Sequence, residues 1–160
     1  MSAPETPSQT IGPFFHEGLG WALRQRSEDL QDGEWLVTGS VLDGDGDGVP
    51  DAMLEVLLLQ RPIRFHRLFT GADGRFAFPV RRDADAAYVT IFARGLLGAL
   101  WTRFYPAATL DALRARPELA DVPSDRLATL LPASADATRR TLDWSIRLQG
   151  DSETVFFDLV

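Results

Sequence analysis

Apolar and polar residues alternate along much of this chain, in short segments separated by turn-forming residues. EWLVTGSVL (34–42) and MLEVLLLQ (53–60) each alternate in the way that half-buried strands do. Between them stands DGDGDGVPDA, which is dense in aspartate and glycine. The pattern therefore predicts two strands joined as a hairpin across this acidic turn.

The same pattern recurs three times further along the chain. RFHRLF and RFAFPV flank a second turn, TGADG. AAYVTIFARG and LLGALWTRFYP predict another strand pair. TLDWSIRLQG and TVFFDLV predict a closing hairpin that turns near Gly150 and Asp151.

The periodicity changes between residues 107 and 131. ATLDALRARPEL and PSDRLATLL are typical of helices, and Pro123 with Ser124 marks the start of the second. Six to nine short strands with one helical excursion predict a mostly β fold, a two-sheet antiparallel β-sandwich. We expect residues 34–160 to form this single domain, preceded by an extended N-terminal arm and docking segment over residues 1–33.

Composition narrows the classes of function. The net charge is −7 without a run of basic residues, which argues against nucleic acid and anionic membranes as partners. No apolar run is long enough for a membrane span, and the first residues lack the pattern of a secretory signal. The chain has no cysteine, which excludes disulfides and thiolate sites and favours a cytoplasmic location.

The acidic turn is one candidate for a metal site. Asp43, Asp45, Asp47 and Gly48 match the opening of a calcium-binding loop, in which alternate carboxylates converge on the cation. The twelfth position, where such a loop supplies a bidentate glutamate, is Leu54. An ordinary turn, in which glycines and aspartates supply the backbone bends and side-chain caps, explains the same residues.

Other catalytic patterns are weak, and one arginine stands out. His16 and His66 are not spaced as metal ligands, and the chain has neither a serine nucleophile elbow nor a phosphate-binding glycine loop. Arg94 ends an apolar strand directly before Gly95, where a bend would present its guanidinium to a carboxylate. Arg94 and Arg103 are also consistent with ordinary exposed positions at the edge of a sandwich.

Five segments, in order from Pro4 to Leu159, resemble the α subunits of the protocatechuate 3,4-dioxygenases, which belong to the intradiol ring-cleavage dioxygenase family. They are ETPSQTIGPFFHEGL, GSVLDGDGDGVPDAMLEV, TGADGRFAF, IFARGLLGALWTRFY and IRLQGDSETVFFDL. The resemblance implies a β-sandwich and a non-haem Fe(III) held by two tyrosines and two histidines. The histidine positions fall here on Ala86 and Tyr88, and the loops that would carry the tyrosines look deleted. The resemblance therefore implies that this chain binds no iron of its own.

The resemblance also implies a function shared with a partner. A homologous β subunit would carry the Fe(III) that cleaves protocatechuate to 3-carboxy-cis,cis-muconate, and this chain would complete its substrate pocket. The pocket residues carried over are Thr10, Gly12, Pro13, Phe14 and Arg94, with Arg94 positioning the carboxylate of the aromatic acid. The alternative is a catalytically inactive, homo-oligomeric protein that keeps the sandwich and an aromatic-acid pocket. A calcium-binding adhesion module is a third hypothesis, which rests on the acidic turn and Asp51 alone.

Overall fold

The computed structural model describes residues 30–158, which form two β-sheets and a short helical segment. The strands are β1 (Glu34–Leu42), β2 (Met53–Leu58), β3 (Arg64–Phe69), β4 (Arg75–Arg81), β5 (Ala87–Phe92), β6 (Leu100–Phe104), β7 (Ser134–Asp136), β8 (Thr141–Asp143) and β9 (Ile146–Arg147). Helix α1 spans Leu110–Arg114, and two 3-10 helices span Pro117–Leu119 and Leu127–Leu130.

The two sheets differ in how their strands are paired. The first has the order β4-β1-β8-β7, with β9 also pairing with β1, and the second has the order β3-β2-β5-β6. All strand pairs are antiparallel except those of β1 with β8 and β9. The predicted fold class, a mostly antiparallel two-sheet sandwich, is confirmed.

The core lies between the two sheets and is built from alternate residues of their strands. On β5, Ala87, Val89 and Ile91 are buried, while Tyr88 and Thr90 face outward. The same alternation on β2, β4 and β1 contributes the other large core side chains. They include Leu54, Val56, Leu58, Phe76, Phe78, Val80, Val37 and Val41.

Two predicted hairpins are wrong, because the chain crosses between the sheets at both turns. β1 pairs with β4 and β2 with β3, so the acidic turn links different sheets. The TGADG turn does the same between β3 and β4. Alternation predicts a strand and its buried face, but both sheets bury the same kind of face, so it does not specify the partner. The pairing of β5 with β6 is confirmed.

The predicted closing hairpin is also wrong. β9 runs parallel to β1, and the segment 154–158 follows the open edge of β6 without forming a regular strand. The backbone N–H of Phe157 donates to the carbonyl of Trp101 at 2.8 Å, and the Thr102 hydroxyl donates to the carbonyl of Val155 at 2.7 Å. The tail thus satisfies backbone groups that an edge strand would expose.

The helical excursion predicted near residues 107–131 is present and builds a second, smaller core. The Thr109 hydroxyl caps α1 by accepting from the backbone N–H of Ala112 at 3.2 Å. Leu113, Leu127 and Leu130 are buried in the cluster beneath this segment. Within residues 30–158, no helix is long and apolar enough to cross a membrane.

Candidate functional site

Arg94 lies just beyond the end of β5, where the chain bends away from the sheet. Gly95 bends the backbone with a φ of +89°, a conformation that favours glycine. The Arg94 side chain is 51% exposed, and its Nη2 atom lies 3.9 Å from Oδ2 of Asp51. The strand therefore delivers a half-exposed cation to the surface, as the sequence predicted.

Arg94 forms one wall of an open groove of about 370 Å³. The other walls come from the acidic turn and from the segment after β9. They are Asp43, Gly48, Val49, Pro50, Leu96, Leu148 and Gln149. The groove is lined by polar groups, Arg94, Asp43 and Gln149, and by the apolar side chains of Val49, Pro50, Leu96 and Leu148. The Arg94 cation beside apolar side chains suits a ligand that carries both an anionic group and an apolar body.

The acidic turn is held together by its first aspartate. Oδ1 of Asp43 accepts from the backbone N–H groups of Asp45 at 3.0 Å and of Asp47 at 2.9 Å. Gly46 follows with a φ of +88°. These are the side-chain cap and backbone bend of an ordinary turn. Among residues 30–158, no three His, Cys, Asp or Glu side chains are grouped so that they could hold a metal ion.

Two glycines fix the position of this turn against the β3–β4 turn. A Cβ atom on Gly48 would lie 2.1 Å from the carbonyl oxygen of Asp73, and one on Gly74 would lie 2.6 Å from the carbonyl oxygen of Val41. Gly74 also has a φ of +75°. The two turns meet backbone to backbone, so the groove wall beneath Arg94 is rigidly placed.

The positions to which the sequence resemblance assigns the iron-binding histidines, Ala86 and Tyr88, lie at the other end of β5. Ala86 is buried directly before the strand, and Tyr88 faces outward on it. The Arg103 guanidinium lies 5.5 Å from the centre of the Tyr88 ring and 4.7 Å from that of Phe157. The Asp85 carboxylate is hydrogen-bonded to Arg116, which ties this end of β5 to the helical segment.

These residues do not fit an iron centre. Ala86 has no donor atom, and the phenol of Tyr88 is a single ligand. The Arg103 guanidinium that lies against the Tyr88 ring places a positive charge where a metal cation would have to bind.

Both connections that looked shortened in the sequence are short in the structure. β2 passes to β3 through residues 59–63, and β4 passes to β5 through residues 82–86. Neither connection contains a tyrosine.

The sequence indicated that Arg94 follows a strand and precedes a bend at Gly95, as the structure shows, but it did not indicate which residues surround Arg94. Asp51 entered only as a calcium ligand, whereas here it faces Arg94. Leu148 and Gln149 join the groove from the far end of the chain, and no local pattern could have indicated this. The other predicted pocket residues, Thr10, Gly12, Pro13 and Phe14, lie outside the described residues.

A search of family models finds no match. Two curated proteins, in contrast, align along nearly the whole chain. The protocatechuate 3,4-dioxygenase alpha chain of Burkholderia cepacia is 36% identical over 194 residues, which cover 97% of this chain and 98% of the relative. This chain belongs to the protocatechuate 3,4-dioxygenase α-chain family. The α chain of Pseudomonas putida is 31% identical over 196 residues, covering 97% of this chain and 96% of its own length.

A comparison with solved structures identifies the fold. The intradiol ring-cleavage dioxygenase of Tetranychus urticae superposes with a TM-score of 0.51 at 11% sequence identity, covering 91% of this chain and 93% of that one. The fold is therefore that of the intradiol dioxygenases. The alignment to the Burkholderia cepacia α chain spans 194 positions whereas this chain has 160 residues, so at least 34 of those positions lie opposite gaps here.

Proposed function

We propose that this chain is an α-type subunit of a protocatechuate 3,4-dioxygenase that binds no iron itself and completes the substrate pocket of a β subunit. The observation that carries the proposal is the 36% identity to an α chain of that enzyme along 97% of this chain. The Fe(III) of the β subunit would bind the catechol hydroxyls and support the cleavage of the ring by O2. The part played by this chain is to bind and orient the substrate.

The chain's own residues support action of Arg94 on a neighbouring subunit. Tyr88 lies on β5, and Arg94 lies two residues beyond the end of that strand, where the chain bends away from the sheet. Ala86 and Tyr88 do not provide an iron site. A substrate held by Arg94 would therefore react at a metal held by another chain.

The Arg94 guanidinium is suited to exchange its partner for a ligand. Its contact with Asp51 is long and both side chains are about half exposed, so the pair contributes only about 0–1 kcal/mol. A substrate carboxylate that reached the groove would form a closer, charge-assisted contact with the planar fork of the guanidinium. Leu96 and Val49 would then contact the aromatic ring.

Thr10, Gly12, Pro13 and Phe14 remain proposed pocket residues on the ground of the resemblance. The cytoplasm is the proposed compartment, because a chain without cysteine suits a reducing environment. The alternative of an inactive homo-oligomer finds no support in the comparisons.

The test is steady-state O2 uptake by this chain co-expressed with a β subunit. We expect Arg94→Ala to raise KM for protocatechuate by about 10- to 150-fold, the equivalent of one charge-assisted hydrogen bond of about 1.5–3 kcal/mol. Catechol lacks the carboxylate, so its turnover should change little. Arg94→Lys keeps the charge but loses the fork, and should fall between the two.

Arg139→Ala is the matched control, since Arg139 is also exposed and ion-paired but lies far from the groove in sequence and fold. An equal loss for protocatechuate and catechol in Arg94→Ala would show that the arginine supports assembly instead of reading the carboxylate. An unchanged KM for protocatechuate in an intact complex would contradict the role of Arg94.

A further inference from the structure

Exposed apolar side chains are grouped where β2 passes into β3. Leu59, Ile63 and Phe65 are 52%, 66% and 48% exposed. Phe65 pairs across the two strands with Leu57 on the outer face of the second sheet. We call Leu57, Leu59, Ile63 and Phe65 the hairpin patch. The Arg67 guanidinium lies 5.4 Å from the centre of the Phe65 ring, and the other exposed side chains are left uncovered by the described residues. Exposed apolar side chains grouped in this way mark a surface that another segment or chain covers.

The chain enters the described structure at β3, the strand that carries Phe65, on the opposite face of the sheet. The side-chain oxygen of Gln31 accepts a hydrogen bond from Arg64, which lies between Ile63 and Phe65 in sequence. The backbone N–H of Gln31 donates to the Glu34 carboxylate at 2.8 Å, so this point of entry is fixed. β3 is the edge strand of its sheet. A segment that passes around this one strand from Gln31 therefore reaches the patch on the outer face.

The sequence that precedes this entry point is apolar on one side. GLGWAL (18–23) places Leu19, Trp21 and Leu23 at alternate positions, so an extended chain would present all three on the same face. The polar RQRSED (24–29) follows and ends at Leu30. Seven residues from Leu23 to Leu30 span up to about 25 Å, several times the spacing of two strands.

We propose that residues 19–23 dock on the hairpin patch of their own chain. Trp21 would cover Ile63 and Phe65, and the docked segment would shield the outer side of the edge strand β3. The short polar connection keeps the closure entropy small, which favours the chain's own segment over that of a second copy. This inference goes beyond the proposed function, and leaves residues 10–14 free to reach a neighbouring subunit.

The absence of cysteine makes the test direct, because an introduced pair has no competing thiol. The full-length chain carrying Trp21→Cys and Ile63→Cys is oxidised mildly and run on a non-reducing gel. We expect most of it to form a disulfide within one chain, seen as a faster-migrating monomer. The matched control joins Trp21→Cys with Leu97→Cys, since Leu97 is equally apolar and 68% exposed but lies in the loop at the opposite end of the sheet. The control should remain reduced.

Hydrogen exchange supplies a second measurement without cysteines. Trp21→Ala should speed amide exchange in residues 59–69 and leave residues 110–131 unchanged. Disulfides only between chains would overturn the proposal in favour of a second copy on the patch. Equal crosslinking to Leu97, or no crosslink together with unchanged exchange, would overturn it as well. Neither experiment measures activity, so their failure and the failure of the α-subunit proposal are distinguishable.

Discussion

At the scale of single residues, the groove depends on glycines as much as on Arg94. Gly48 and Gly74 bring the acidic turn and the β3–β4 turn into backbone contact, and Gly95 turns the chain after Arg94. These glycines serve different physical ends. At Gly48 a side chain would collide with neighbouring backbone atoms. At Gly95 the backbone has a positive φ, and a Cβ atom would meet nothing within 4 Å. At Gly74 both the collision and the positive φ apply.

Substitution with alanine should distinguish the cost of a backbone collision from the cost of a positive φ. We expect Gly48→Ala and Gly74→Ala to lower the free energy of unfolding by about 3 kcal/mol or more, because backbone atoms occupy the space of the new methyl group. Gly95→Ala should cost only about 1–2 kcal/mol, from backbone strain alone. Urea denaturation measures each value. Gly98→Ala is the control, and a cost for it equal to that of Gly48→Ala would contradict this account.

His66 is a second residue with a measurable effect. It is 5% exposed on the inner face of β3, and its Nε2 atom has no hydrogen-bond partner among the described residues. Burial lowers the pKa of His66 below its usual range, and the Arg64 guanidinium lowers it further, while Glu34 opposes the shift. Protonating His66 therefore costs more in the folded chain than in the unfolded one.

The sign of the pH dependence follows. As pH falls below about 6.5, the unfolded chain binds a proton at this histidine before the folded chain does, so stability decreases until the lower pKa of the folded state is passed. We expect His66→Leu to flatten this part of the profile of unfolding free energy between about pH 7.5 and 5.5. If the slope of unfolding free energy against pH stayed unchanged in His66→Leu, groups other than His66 would be responsible for that slope.

At the scale of elements, Thr129 joins three parts of the chain. Its hydroxyl donates to the carbonyl of Arg126 at 2.8 Å and accepts from the backbone N–H of Val155 at 3.1 Å, while its own carbonyl accepts from Nε1 of Trp144 at 2.8 Å. The second 3-10 helix, the C-terminal tail and the core tryptophan are thus connected through one residue.

Thr129→Val keeps the shape of this side chain and removes the hydroxyl. We expect a loss of about 1–3 kcal/mol in unfolding free energy, because the N–H of Val155 would lose its partner in a partly buried site. Chemical denaturation gives the value, with the exposed Thr138→Val as control. If hydrogen exchange of the tail 154–158 stayed unchanged in Thr129→Val, the link from the 3-10 helix to the tail would be refuted.

The strands show which features of the fold could be predicted from the sequence. The bounds of β1 agree with the segment that alternation indicated, because a strand with one buried face leaves a period of two in its sequence. The partners of β1 and β2 could not be obtained in this way. Turn composition favoured a hairpin. The backbone of Trp144 instead lies against Gly39, and β8 and β9 pair with β1 through contacts distant in sequence.

At the scale of the whole molecule, this chain supplies Arg94 and its groove, and the proposed partner would supply the metal. Arg94 was predictable from its place at the end of an apolar strand, and the resemblance gave it a role. The groove around it was not predictable, because Leu148 and Gln149 reach it only through the β9 pairing.

The last prediction concerns the iron content of the complex between this chain and a β subunit. In a complex purified through a tag on this chain, we expect one iron per β subunit and none per copy of this chain, since Ala86 and Tyr88 do not form an iron site. Elemental analysis together with the mass of the complex from light scattering measures this ratio. Tyr88→Phe should leave both iron and activity unchanged, because the phenol oxygen has no task as a ligand. A drop in iron content in Tyr88→Phe, with the complex intact, would show that this chain binds iron. If this chain formed a homo-oligomer and captured no β subunit, the proposal that it completes the pocket of a β subunit would be refuted.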